Sequence, residues 1–97
     1  MYQIQRTESF DKWLVNLRDV RAKARILTRL DSVRLGNLGD VRSVGGTVSE
    51  MRIDVGAGYR VYFTRRHRIV VVLLCGGDKS SQIKDIARAK LMAQEFE

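Results

Sequence analysis

The chain has 97 residues, with 18 lysines and arginines against 11 aspartates and glutamates, for a formal net charge of +7. That length fits one domain, residues 1–97, and a hydrophobic share of 44% is too high for a disordered tail. A single cysteine excludes an intramolecular disulfide and, without a cysteine–histidine cluster, a zinc finger; the longest unbroken apolar run, Ile69 to Cys75, is too short to cross a bilayer. The opening MYQIQRTESF has no apolar core of a secretory signal, so the expected setting is the reducing cytoplasm, with no membrane partner. The sequence pI near 10.2 points to an acidic partner such as nucleic acid. The excess charge is +4 over residues 1–36, +3 over 37–68 and zero over 69–97.

Tyr2 to Arg6 reads as a short strand. Phe10, Trp13, Leu14 and Leu17 then recur at helical spacing, with Thr7 or Ser9 as cap. A second helix follows with Ile26, Leu27, Leu30 and Val33 on its apolar face, Arg18, Arg21, Lys23, Arg25 and Arg29 on the remainder, and Gly36 and Gly39 as stops. Val41 to Val44 forms a strand closed by a Gly45-Gly46 turn. Beyond it Met51, Ile53 and Val55 alternate with Glu50, Arg52 and Asp54.

Gly56-Ala57-Gly58 turns the chain into a partner strand, where Tyr59, Val61 and Phe63 alternate with Arg60, Tyr62 and Thr64. Arg65 to Arg68 reads as a polar loop. Ile69 to Cys75 is apolar throughout, as a strand covered on both faces requires, and Gly76-Gly77 is expected to end it. Ser80 or Ser81 opens a last helix with Ile83, Ile86, Ala87 and Leu91 expected on its inner face. The order strand, two helices, strands, helix defines an α+β domain: a small twisted antiparallel sheet with an N-terminal helical hairpin on one side and a C-terminal helix.

On this reading the two middle strands expose one face carrying Glu50, Arg52, Asp54, Arg60 and Tyr62, with Lys79 at the end of the next strand. Such a mixed patch suits a phosphodiester, because cations neutralise phosphate and an aromatic ring stacks on a base. Metal-free RNA cleavage needs a base for the 2′-hydroxyl proton, cations for the phosphorane and an acid for the departing 5′-oxygen. Glu50 is the candidate base, Arg52 and Arg60 the phosphate clamps, and Lys79 a further cation or the acid. An ordinary cross-strand ion-pair ladder is the plainer account of the same residues. Tyr62 is the expected stacking ring, and Arg65, Arg66, Arg68, Lys84 and Arg25 are the expected RNA-binding cations. Cys75 reads as a buried small hydrophobe and His67 as a solvated turn residue. Gly76-Gly77-Asp78-Lys79-Ser80 lacks the spacing of a nucleotide-binding phosphate loop.

The stretch from Glu50 to Phe63, with Gly-Ala-Gly-Tyr-Arg at its centre, together with Leu74 to Lys90, resembles the RelE/ParE superfamily of type II toxins, in particular its HigB-like, phage-derived "addiction module killer protein" branch. The resemblance is strong over residues 46–91. It implies a ribosome-dependent messenger-RNA endonuclease that enters the ribosomal A site and cuts by 2′-hydroxyl attack without a cofactor. It also implies a helix-turn-helix antitoxin encoded next door, through whose complex alone operator DNA is bound. The family's arginine after Gly-Tyr falls on Arg60, its basic positions on the preceding strand fall on Glu50 and Arg52, and its basic residue after the last strand falls on Lys79. The sequence departs from the family at Glu50, which is acidic, and after Tyr62, where no tyrosine follows and Lys84 or Asp85 stands in its neighbourhood. A ParE-like inhibitor of DNA gyrase that cuts nothing is the alternative within the superfamily, and a relative that only binds its antitoxin or operator DNA is a third.

Overall fold

The first helix starts where it does because Thr7 serves two elements at once. Its hydroxyl oxygen accepts from the Phe10 amide at 3.1 Å and donates to the carbonyls of Leu73 and Leu74. The cap therefore stitches the helix start to the last strand. The computed structural model describes all residues 1–97, in the order β1 Gln3–Arg6, α1 Glu8–Asn16, α2 Val20–Arg34, β2 Val41–Gly45, β3 Val48–Ile53, β4 Tyr59–Arg66, β5 Val70–Gly77 and α3 Gln82–Ala93. Asp19 caps α2 through the Ala22 amide and accepts a hydrogen bond from the Tyr59 hydroxyl, which ties α2 to β4.

The strands form one sheet in the order β1-β5-β4-β3-β2. The α+β class and the grouped helices stand as expected. The sheet is mixed rather than wholly antiparallel: β2 to β5 pair antiparallel, and β1 adds at the edge parallel to β5. Two long helices follow β1 before the sheet resumes, so the chain has the length to return and lay β5 beside it in the same direction.

Phe10 and Leu14 of α1 and Ile26, Leu30 and Val33 of α2 pack on Met51, Ile53, Val61, Phe63, Val71 and Leu73 across one sheet face. Each such side chain contributes about 1.5–3 kcal/mol by leaving water. A second core lies on the opposite face, where Val48, Tyr62, Val72, Leu74 and Cys75 meet Ala89 and Ala93 of α3.

Three expectations are corrected. The inner face of α3 is Asp85, Ile86, Ala89, Met92 and Ala93, while Ile83 and Leu91 are 89% and 67% exposed. Small alanines let the helix lie close to the strands. Leu27 of α2 likewise points outward. Gly76 and Gly77 also remain within β5 instead of ending it. Trp13 lies over Gly76 on one face and Asp85 over Gly77 on the other, so close that a Cβ at Gly77 would stand 1.8 Å from an Asp85 carboxylate oxygen. Only glycine admits both neighbours.

The turn between β4 and β5 is tighter than the expected polar loop. Arg65 and Arg66 belong to β4 and β5 begins at Val70, so His67, Arg68 and Ile69 reverse the chain, the first two with φ of 52° and 67°. Both of these sit in the left-handed region, which costs a side chain roughly 1–2 kcal/mol. Replacing His67-Arg68 with Asn-Gly is expected to raise stability by about 1 kcal/mol, read as a shifted urea midpoint with unchanged slope. No helix is long and apolar enough to cross a membrane.

Candidate functional site

The hairpin registers place the polar residues of β2, β3 and β4 side by side. Arg42 lies opposite Glu50, Glu50 opposite Tyr62, and Arg52 opposite Arg60. A cleft of about 380 Å³ opens at this end of the sheet, lined by Asp40, Arg42, Arg52, Asp54, Arg60, Lys79 and Gln82, none of them apolar. The backbone amide of Lys79 donates to the carbonyl of Ala57, which pins the residue after β5 against the β3–β4 turn. The sequence-predicted Glu50, Arg52, Arg60 and Lys79 are thus brought to one place.

Glu50 is fully buried at the floor of this cleft. One carboxylate oxygen accepts from Arg42 Nε at 2.7 Å. The other accepts from Gln82 Nε2 at 3.1 Å and faces Arg60 Nε at 3.8 Å. Arg60 Nη1 donates to the carbonyls of Gly58 and Tyr59. The buried carboxylate is therefore a strut that holds Arg42 by a hydrogen bond and attracts Arg60 by charge, the Arg60 Nε having no hydrogen-bond partner. This corrects its assignment as the base: a substrate hydroxyl has no path to an oxygen that α3 covers and protein donors already occupy.

The cations differ in how far they are committed. Arg52 pairs with Asp40 at 3.3 Å across exposed surface, a contact worth under about 1 kcal/mol. Lys79 forms no ion pair, and Arg60 only the long one to Glu50. Asp54 is exposed and unpaired on the cleft wall. Arg29 of α2, read from sequence as one of a basic face, instead donates to the carbonyls of Arg52, Leu38 and Asp40 and braces the β2–β3 side of the cleft.

The expected RNA-binding set does not come together. Tyr62 is fully buried beneath α3 and cannot stack on a base. Its strand neighbours on the second face were expected to be exposed, but a helix that covers β5 on that face also covers the middle of β4 and β3. Arg66, six residues along β4 from Arg60, lies about 20 Å away at the strand's other end. There Arg65 sits 5.7 Å over the Tyr2 ring and Arg66 5.8 Å over Phe96, on opposite faces of the sheet. Arg68 is in the turn, Lys84 is exposed on α3 and Arg25 is exposed on α2. These five cations share the surface, not the cleft.

Arg42 and Gln82 were missed. A turn at Gly45-Gly46 would set Arg42 against Ser49; the observed turn is Gly46-Thr47, and an irregularity between Ser43 and Gly45 brings Arg42 against Glu50. The Gln82 contact depends on how α3 docks. A larger hollow of about 680 Å³ between α1 and α3 holds Lys12, Arg18 and Arg88 around Trp13. There Lys12 already pairs with Glu8 and Arg88 with Ser9, and no buried charge stands behind them.

The Tyr62 hydroxyl has no hydrogen-bond partner in the protein. Burial, then the neighbouring Glu50 and Asp85 carboxylates, push this phenol well above its ordinary range. An unpartnered buried hydroxyl costs about 1–3 kcal/mol, so Tyr62→Phe is expected to stabilise the chain by about 1 kcal/mol at neutral pH. With its folded pKa raised, the tyrosine's protonated form is matched in both states below about 10, and stability falls as pH rises past that value. Tyr62→Phe should flatten this alkaline loss, leaving the part due to Tyr59 and Cys75, in urea titrations across that range. A destabilised variant would show that the hydroxyl is satisfied. Burial also pushes the Cys75 thiol up to about 11, so it holds almost no thiolate at neutral pH and is no nucleophile.

No protein-family model matches the chain. An uncharacterized protein of Haemophilus influenzae is 53% identical to it over 94 residues, covering 97% of this chain and 95% of the relative. The chain belongs to that protein's family. The coverage on both sides means that the two proteins have the same extent, so the strands and helices that build the cleft lie within the shared region.

Proposed function

We propose that the protein is a toxin of a type II toxin–antitoxin pair and acts in the cytoplasm as a ribosome-dependent, metal-independent endoribonuclease. The observation that carries this reading is the cleft in which Arg60, oriented by a buried carboxylate, stands with Lys79 and Arg52 at the place the RelE/ParE resemblance assigns to chemistry. The 2′-hydroxyl attacks the adjacent phosphorus, the bond from phosphorus to the 5′-oxygen breaks, and a cyclic phosphate and a 5′-hydroxyl result. Arg52 offers a guanidinium fork that matches two phosphate oxygens, and Arg60, whose Nη1 and Nε already face the protein, turns its Nη2 and its charge to the phosphorane.

Asp54 takes the role of base that Glu50 cannot, since it is the accessible, unpaired carboxylate of the cleft. It receives the 2′-hydroxyl proton, and Lys79 supplies one to the leaving oxygen. Codon reading is left to the ribosome, consistent with a cleft that has no accessible aromatic ring. The neutralising partner is a helix-turn-helix antitoxin, and operator DNA is reached only in that complex.

The test is brief induction in a bacterial host, with messenger-RNA 5′ ends mapped and plasmid supercoiling measured in the same culture. Cuts at fixed codon positions in translated messages, with supercoiling intact, are expected. Lost supercoiling with intact messages would replace this reading with gyrase inhibition.

A further inference from the structure

The outward face of α3 is not the face its sequence predicts, and it has a pattern of its own. Ile83, Ala87 and Leu91, at i, i+4 and i+8, form a straight apolar ridge on the solvent side, with Ile83 89% and Leu91 67% exposed. Cations flank the ridge on both sides. Arg88 reaches toward α1, where it donates to Ser9, and Lys90 leans the other way, over Gly45 of β2. Lys84 is exposed in the first turn. None of the three forms an ion pair, and the only acid of the helix, Asp85, is turned inward onto the Ser81 hydroxyl. The exposed face of α3 is therefore an apolar line with Lys84 and Arg88 along one flank and Lys90 on the other, none of them in an ion pair.

We infer that this face is a docking surface for an acidic amphipathic helix of a partner protein, packed along Ile83, Ala87 and Leu91 with its carboxylates against Lys84, Arg88 and Lys90. Charge complementarity selects this occupant. A second copy of the chain would set like charges against each other on both flanks. A bilayer requires a wide apolar face with several large side chains, and this one offers two. RNA would use the cations and leave Ile83 and Leu91 in water. The ridge begins one residue after Gln82, which holds Glu50, and four after Lys79, which lines the cleft. A helix seated here would end at the cleft's rim and close it to a large substrate. The inference does not rest on the ribonuclease reading, since the surface is defined without it.

The probe is a fluorescein-labelled acidic peptide with leucines at i, i+4 and i+8 and glutamates on both flanks, compared by anisotropy with a scrambled peptide of the same composition. The intact chain should bind the first and not the second, and binding should weaken with salt. Ile83→Asp with Leu91→Asp, and separately Lys84→Glu with Arg88→Glu and Lys90→Glu, should each weaken it at least tenfold, about 1.4 kcal/mol. These are surface positions, and unchanged circular dichroism verifies the fold. Amide shifts on peptide addition should cluster at 83–91. Equal binding of the scrambled peptide, or shifts centred on α2, would overturn the inference. So would vesicle binding (phosphatidylglycerol), RNA-oligonucleotide binding or self-association lost in the Ile83→Asp, Leu91→Asp variant. Cutting lost in an Arg60 variant is a separate measurement, so the two readings fail independently.

Discussion

Arg60→Ala is expected to abolish growth arrest on induction and to lower messenger-RNA cutting by about a hundred- to a thousandfold, the usual cost of removing one preorganised charge-stabilising donor. The reason lies in how the residue is held. Its Nη1 is anchored to two backbone carbonyls and its Nε faces the buried Glu50, so the group is aimed before substrate arrives. Lysine at this position keeps the charge but loses the planar fork, and Arg60→Lys should recover only a small part of the activity. Glu50 retains Arg42 and Gln82 in the alanine variant, so the fold should survive, as circular dichroism would show. Full toxicity of Arg60→Ala would remove the cleft from the mechanism.

The second large effect is on stability. Glu50→Ala removes a carboxylate that joins β2, β3, β4 and α3 through Arg42, Arg60 and Gln82, and breaking such a buried network costs about 3–5 kcal/mol. Against a total of about 5–15 kcal/mol, that is enough to leave a sizeable unfolded population or to halve the urea midpoint. Glu50→Gln, which keeps an oxygen acceptor, should lose less than half as much.

Glu50→Gln set beside Asp54→Asn separates strut from base. Activity per folded molecule should fall less than about tenfold in Glu50→Gln, but by about a hundredfold or more in Asp54→Asn, the range for a lost general base. The opposite order would return Glu50 to that role.

Much of this site was legible in the alternation of β3 and β4. Glycines at 45–46 and 56–58 place the turns, and alternation puts Glu50, Arg52, Arg60 and Tyr62 on one face, but a turn of residues 56–58 alone would set Arg52 against Tyr62; the observed connection runs from 54 to 58 and sets Arg52 against Arg60 and Glu50 against Tyr62. The unbroken apolar run of β5 also carried a message that was only half used. A strand buried on both faces needs a second covering layer, and a helix broader than one strand must also shelter its neighbours. Glu50 and Tyr62 lie within that shelter. Hydrophobic spacing alone could not orient α3, because its inner face is built from alanines and a hydrogen-bonded aspartate, while its larger side chains, Ile83 and Leu91, stay outside.

The sequence by itself determined the α+β class, the order of the elements, the pairing of β3 with β4 and the gathering of Arg52, Arg60 and Lys79 at one end of the sheet. These are local matters, governed by periodicity, turns and strand pairing between neighbours along the chain. Only the tertiary structure decided the strand registers, that β1 joins parallel at the edge, that Glu50 is a strut and Tyr62 a core residue, that Asp54 is the unpaired carboxylate of the cleft, and that α3 turns an apolar, cation-flanked ridge to solvent. The burial of Glu50 and Tyr62 and the exposed ridge depend on which surface a helix buries when it docks. Docking is chosen by shape and by the pairing of buried charge between residues as far apart as Glu50 and Gln82.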